Sequence, residues 1–184
     1  AAERDKAAAW PHAELKMLAD TGFLGMLIPE EHGGVGAGFV EFCLAQQEFA
    51  AVDAGLATIL HVHNITAMCI AVHGSEQQKR DYLPAMARGE TIGATLISEP
   101  QAGSDTAALR ATARRHGDVF VLDGTKQFIS NGSEAGVAVV LAQTDRSRGK
   151  NGWSTFVIDP KQRGYEVTRI ETKLGQHTAH TAQI

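Results

Sequence analysis

Cysteine is scarce. The 184 residues include 2 cysteines, Cys43 and Cys69, each in an apolar stretch, and nothing in their spacing suggests a disulfide framework. That usage fits a reducing, cytoplasmic compartment, where a buried cysteine behaves as a small hydrophobe. Charge of one sign is also missing. With 17 Lys and Arg against 21 Asp and Glu, the net charge is −4, which leaves no basic footprint for nucleic acid or for an anionic membrane. No long apolar run goes uninterrupted. The opening stretch AAERDKAAAWPHAE has no core of the signal-peptide kind, and the most apolar window, 49–72, contains Asp53, His61, His63 and Asn64. That window reads as a helix buried on most sides rather than a membrane span. Phosphate and nucleotide fingerprints are absent too. No Gly-x-Gly-x-x-Gly follows a strand and opens a helix, so a nicotinamide fold lacks its signature. The loop with Gly33, Gly34, Gly36 and Gly38 has neither the Lys-Ser/Thr nor the preceding strand of a phosphate loop, and reads as a connector.

What is present has two rhythms. A hydrophobic fraction of 43% with 21% charge is that of an ordinary globular chain with a sizeable core. From Pro11 to Gly89 the spacing is helical. Pro11 suits a first helical position, Leu15 and Leu18 share a face, and Gly22 can close that helix. Phe39, Phe42, Cys43, Gln46, Phe49 and Ala50 then follow three-and-four spacing, an apolar face broken only at Gln46. Ser75 and Gln78 have the spacing of a capping box, Pro84 should bend or restart the helix that follows, and Gly89 can end it. Beyond Gly89 the period moves towards two. Short runs are separated by His116-Gly117-Asp118, Asp123-Gly124 and Asn131-Gly132, pairs that suit tight hairpins. Close-spaced strands without intervening helices predict an antiparallel barrel or sandwich. The fold class expected is α+β: a helical domain over 1–89, then an antiparallel β-barrel domain over 90–184.

Between the two rhythms stands SEPQAGSD, residues 98–105, where the strand-like run TIGATLI stops abruptly. Gly103 allows close backbone approach, Ser104 offers a hydroxyl and an amide, and such a turn can cradle phosphate oxygens. Composition alone favours an ordinary surface turn, since Gly-Ser-Asp turns are common. Glu99 and Asp105 have the spacing to tempt an acid–base assignment, but read as turn and cap residues. His61 and His63, two apart on a helix, point to nearly opposite faces, and His73 with them completes no metal site.

LISEPQAGSD, GTKQFISNG and KLGQHTAHTAQI, with LIPEEHGGVG and GSEQQKRDYLPAMARGE before them, resemble the acyl-CoA dehydrogenase family in order and spacing. The resemblance runs from about Leu18 to Ile184. It implies a helical domain, a β-barrel domain and a second helical bundle, of which this sequence holds the first two, the barrel incomplete at its C-terminal end. It implies FAD as cofactor, acyl-CoA as substrate, an electron-transferring flavoprotein as partner, and a homo-oligomer, dimer or tetramer, in fatty acid metabolism. The catalytic glutamate would lie in the second bundle, so no catalytic residue is assigned in this chain. By position, Thr95, Leu96, Ile97, Ser98, Gly103 and Ser104 would lie along FAD, with the backbone near Ile97 and Ser98 on the flavin's pyrimidine edge. Ser104 would sit near both the pyrophosphate and the substrate thioester. Phe128, Ile129 and Ser130 would pack on the isoalloxazine, and the helix carrying LHVHN would shape the acyl site.

Departures matter as much as matches. Many relatives carry tryptophan and threonine at Phe128 and Ser130, so the aromatic face and the hydroxyl are kept. Many carry arginine at His177 and aspartate at His180, in a stretch that contacts cofactor or a neighbouring subunit in the family. The expected activity of the whole enzyme is flavin-dependent α,β-dehydrogenation of an acyl-CoA thioester to trans-2-enoyl-CoA. The alternatives are an oxidase or monooxygenase on the same scaffold, or a fragment that only binds flavin or a partner.

Overall fold

The computed structural model describes residues 1–184, save the side chain of residue 150. Five helices come first: α1 Ala2–Lys6, α2 His12–Asp20, α3 Phe39–Val52, α4 Ala54–His73 and α5 Glu76–Ala87. Pro11 sits immediately before α2, where its missing N–H leaves nothing unpaired. Leu15 and Leu18 face inward from α2, and Gly22 ends the helix with a φ of 85°. The window 49–72 is not one helix. Asp53 interrupts it as an N-cap, its carboxylate accepting from the Leu56 amide at 2.9 Å, so the backbone turns between α3 and α4.

Helix α4 is the core of the helical half. Its 20 residues, with a mean hydropathy of 1.5 over an 18-residue window, would be enough to cross a membrane by length and composition. Here Leu56, Ile59, Leu60, Ala67 and Ile70 are buried in contacts with α3, α5 and the first strand of the β half. Helix α3 buries less than its pattern suggested. Phe42 is buried, Phe49 meets Phe23 edge-on at 4.9 Å, and Phe39 and Cys43 are exposed. The reason is position: α3 lies at the periphery, and only one strip of its apolar face finds a neighbour. At α5 the capping box forms as expected, with Gln78 Oε1 accepting from Ser75 N at 2.8 Å and Ser75 Oγ from Gln78 N at 3.2 Å. Pro84 neither restarts nor breaks α5, because it stands in the last turn and costs a single bond.

Eight strands follow: β1 Gly93–Leu96, β2 Thr112–His116, β3 Val119–Asp123, β4 Ile129–Ser130, β5 Val137–Gln143, β6 Trp153–Ile158, β7 Arg169–Ile170 and β8 Thr181–Gln183. No long helix intervenes; only short 3-10 turns occur, at Thr106–Ala108 and Arg146–Asn151. The β-rich half is mixed rather than wholly antiparallel. β1 runs parallel to β5, Gly93 facing Val137 through Leu96 facing Val140, while β6 is antiparallel to β5. The segment between β1 and β5 holds a whole hairpin, long enough for the crossover that parallel strands require. A period of two announces strands but not their direction. A second, antiparallel sheet has the order β4-β8-β7. The sheets do not close into a barrel, and a cleft of about 330 Å³ opens between them, lined in part by Leu96, Leu122, Val140, Tyr165 and Ile184.

Of the three expected hairpin turns, one forms. Gly117, with φ 60°, joins β2 to β3. Gly124 instead passes so close to Ala111 that an added Cβ would lie 2.6 Å from the alanine Cβ. Asn131 takes φ 64° but ends β4, whose partner is β8.

His63 ties the two halves together. Its fully buried ring donates from Nε2 to the Met86 carbonyl at 3.2 Å, and its Nδ1 accepts the Gly93 amide at 3.1 Å. Only a neutral imidazole satisfies both. Burial pushes its pKa from 6.5 down to about 4. Between those values the unfolded chain binds a proton that the folded chain refuses, so this contribution to stability is present above pH 6.5 and lost as pH falls towards 4. Its slope is at most about 1.4 kcal/mol per pH unit. Urea unfolding across this range should therefore show a steeper acid decline for the native protein than for His63→Gln. Parallel curves would rule out the neutral buried ring.

Candidate functional site

One cavity, of about 180 Å³, joins the helical and β halves. His61, Val62 and Ile65 line it from α4, Thr95 from β1, Phe128 from just before β4 and Ser130 from its end. His61 points outward, opposite to His63, and its ring stacks on Phe42 at 5.9 Å. Thr66 donates its hydroxyl proton to the Val62 carbonyl at 2.7 Å, so at the 2.9 Å contact between hydroxyls Thr95 is the donor. The Ser130 hydroxyl has no hydrogen-bond partner among the described residues, although its backbone is fixed opposite Thr181. Phe128 is the unusual member. It is 63% exposed and holds φ at 59°, a left-handed conformation that an aromatic residue rarely adopts. Such strain persists only where surrounding structure imposes it, and it concentrates at binding sites.

Two residues before Phe128 stands a buried ion pair that the sequence did not announce. The Lys126 ammonium donates to Glu99 Oε1 and to the Ile97 carbonyl, both at 2.9 Å. Glu99 further accepts from Ala111 N at 3.0 Å, Arg110 N at 2.7 Å and Gln101 Nε2 at 2.7 Å. Burial works to raise the carboxyl's pKa, but the amides of Arg110 and Ala111 and the Lys126 ammonium outweigh it and hold the pKa below its ordinary value. Burial lowers that of Lys126, and Glu99 only partly restores it. Next along the chain, Gln127 N donates to the Ser98 carbonyl at 2.9 Å. Residues 97–98 and 126–127 thus run side by side, which brings Phe128 and Thr95 to the same cavity.

The residues singled out from sequence divide by strand geometry. Thr95, Phe128 and Ser130 line the cavity, and Ile97 and Ser98 flank it through their backbone contacts. Leu96 and Ile129 alternate to the other face and lie in the β-half core, 2% exposed each, so only their backbones could face a ligand. Gly103 and Ser104 are exposed on the turn after the Glu99–Ala102 bridge and do not line the cavity. Nothing lies within 4 Å of a Cβ added to Gly103, so packing within the chain does not demand glycine there. Asp105 caps the 106–108 turn at the Ala107 amide, 3.2 Å away. Glu99, expected as a turn residue, proves to be the buried hub. Sequence reasoning passed over Lys126, because a lysine after Gly-Thr looks like a loop cation, and Asn131's side chain, whose Nδ2 donates to the Ile59 and Gly93 carbonyls at 3.1 Å each. Among the described residues no cluster of His, Cys, Asp and Glu could hold a metal ion.

Comparison with known proteins places the whole chain. Residues 1–90 match the model of the acyl-CoA dehydrogenase N-terminal domain, and residues 94–184 that of the middle domain. A short-chain specific acyl-CoA dehydrogenase of Clostridium acetobutylicum is 36% identical over 185 residues, covering 100% of this chain and 49% of the relative. A chain in the structure of the electron transferring flavoprotein of Acidaminococcus fermentans superposes with a TM-score of 0.94 at 40% identity, covering 98% of this chain and 48% of the other. A glutaryl-CoA dehydrogenase from Mycobacterium smegmatis, in complex with FADH2, superposes at 0.89 with 34% identity, covering 97% and 45%. The chain spans about half the length of the relatives it matches.

The strain at Phe128 has a measurable consequence. Glycine enters the left-handed region freely, whereas another residue pays about 1–2 kcal/mol there, and a ring 63% exposed contributes little burial in return. Phe128→Gly should therefore leave the urea midpoint unchanged or raised. A loss like that of a core phenylalanine, about 3–5 kcal/mol, would show that the ring serves folding instead.

Proposed function

The chain belongs to the acyl-CoA dehydrogenase family, and from that premise we propose that it supplies the flavin-facing domains of an enzyme that converts an acyl-CoA to its trans-2-enoyl-CoA. The observation that carries this reading is Phe128, an exposed aromatic ring held in a left-handed backbone beside the unpartnered hydroxyl of Ser130. A flat, largely apolar ring with a polar edge needs such a wall, small residues for close approach and a few aimed donors. These residues fit FAD. Bound there, FAD would supply the two-electron acceptor for the hydride that leaves the β-carbon.

The chain's own residues take complementary parts. Phe128 would form the wall and exclude water. Ser130 would donate its hydroxyl to the reducible part of the ring. The backbone of Leu96, Ile97 and Ser98 would meet the ring's polar edge, and that of Ile129 would support the wall. Gly103 and Ser104 would hold the pyrophosphate, and Ser104 also the thioester end of the acyl-CoA. His61, Val62 and Ile65 shape the acyl compartment from α4. The α-proton needs a carboxylate base, and neither carboxylate of SEPQAGSD is free for that work: Glu99 is saturated with donors and Asp105 is a cap. We assign the base to a glutamate in a further helical domain, as in the family this chain resembles.

Electrons would pass to an electron-transferring flavoprotein, and the protein would act as a homo-oligomer in the cytoplasm, where the exposed thiol of Cys43 stays reduced. If reduced flavin met oxygen instead, the enzyme would be an oxidase, and rapid reoxidation in air would reveal it.

Full-length protein purified as a yellow FAD complex is the expected result; protein that stays colourless after FAD is added would overturn the reading. A donor aimed at charge that grows during reduction helps the transition state more than the ground state. Ser130→Ala should accordingly slow flavin reduction about 100-fold, with acyl-CoA affinity nearly unchanged. An unchanged stopped-flow rate at full FAD content would remove Ser130 from its role.

A further inference from the structure

The first ten residues of the chain are held against the loop that feeds β8, and the His177 imidazole is one of the links. His177 Nδ1 lies 2.9 Å from Asp5 Oδ2, and its Nε2 lies 2.9 Å from the Lys173 carbonyl. Asp5 Oδ1 accepts the neighbouring amide of Thr178 at 3.1 Å. Both ring nitrogens of His177 therefore face groups that only accept. A neutral imidazole carries one N–H and leaves a lone pair against an oxygen on the other side; the imidazolium satisfies both. The geometry fixes the charge state.

A second grip comes from His180. His180 donates from Nε2 to the Ala8 carbonyl at 2.9 Å, and its Nδ1 lies between Glu134 Oε1 at 3.2 Å and Ser133 Oγ at 3.5 Å. Its ring meets Trp10 at 5.4 Å. The other charges around the contact are engaged. Arg4 pairs with Glu14 and Asp53, and the Lys173 ammonium donates to the Ala179 carbonyl and Thr181 Oγ1. The loop continues directly into the site: Asn131 N donates to the His180 carbonyl at 3.0 Å, and Thr181 pairs with Ser130.

We propose that His177 is a proton-operated bolt, which tightens the docking of residues 1–10 on the loop behind the Ser130 strand while its ring is protonated and loosens it when the proton is lost. This goes beyond the flavin reading and does not depend on it. The hydrogen bond with Asp5, helped by the Lys173 carbonyl, raises the His177 pKa above 6.5. The grip is thus complete below pH 6.5 and fades as pH rises through the raised value. His177 in turn lowers the Asp5 pKa below 3.8, so the acid limit of the grip lies lower still.

Trp10 reports the docking. Its emission, taken in the full protein as the difference from Trp10→Phe, should show a one-proton transition centred above pH 6.5. That transition should vanish in His177→Gln, move to lower pH in Asp5→Asn, and survive in His180→Gln. No transition in the native protein would overturn the proposal. So would one that persists in His177→Gln but disappears in His180→Gln, because Trp10 would then be reporting only its own neighbour.

Discussion

A carboxylate buried among strands has to find donors or lose its charge, and Glu99 finds four. Those four bonds draw together pieces that are far apart in the chain: the end of β1, the start of β2 and the approach to β4. Removing either member of such a pair leaves an uncompensated buried charge, which costs about 3–5 kcal/mol. The pair is therefore better understood as a constraint on geometry than as a source of stability. It sets residues 97–98 beside 126–127, the residues that lead into Phe128.

The second organising element is α4. The residues that make it a core helix and those that line the cavity alternate along the same turns. Ile59, Leu60 and His63 face the interior, while His61, Val62 and Ile65 face the cavity. Asn131 fastens the β half to α4 at the Ile59 carbonyl and to β1 at the Gly93 carbonyl, and His63 meets the Gly93 amide. Core and cavity thus share one rigid support, and β4 fixes the backbone of Ser130 at the cavity wall.

Much of this was legible in residue order. The helical period up to Gly89 and the shorter period beyond it separate helices from strands, because each periodicity is the pattern by which that element buries one face. The capping box at Ser75 was legible because both partners lie within one turn. The family was legible in five separated motifs, with Phe128 and Ser130 among them. Other features were not. Asp53 splits an apolar window that reads as continuous, α3 leaves much of its apolar face uncovered, and Asn131-Gly132 looks like a hairpin turn but pairs β4 with a strand some fifty residues on.

Residue order alone settles the kinds of element, the ends of several of them and the family whose motifs it carries. All of these depend on local spacing, which a linear reading can see. Strand direction, the openness of the sheets and the partners of Glu99 and His177 were decided only by the tertiary structure. Each depends on residues that are distant in sequence and become neighbours only once the core has formed. Lys126 lies 27 residues from Glu99, and Asp5 lies 172 from His177; no pattern in a window of ordinary length connects such groups. The charge of a buried side chain follows from its neighbours, and its neighbours follow from the fold.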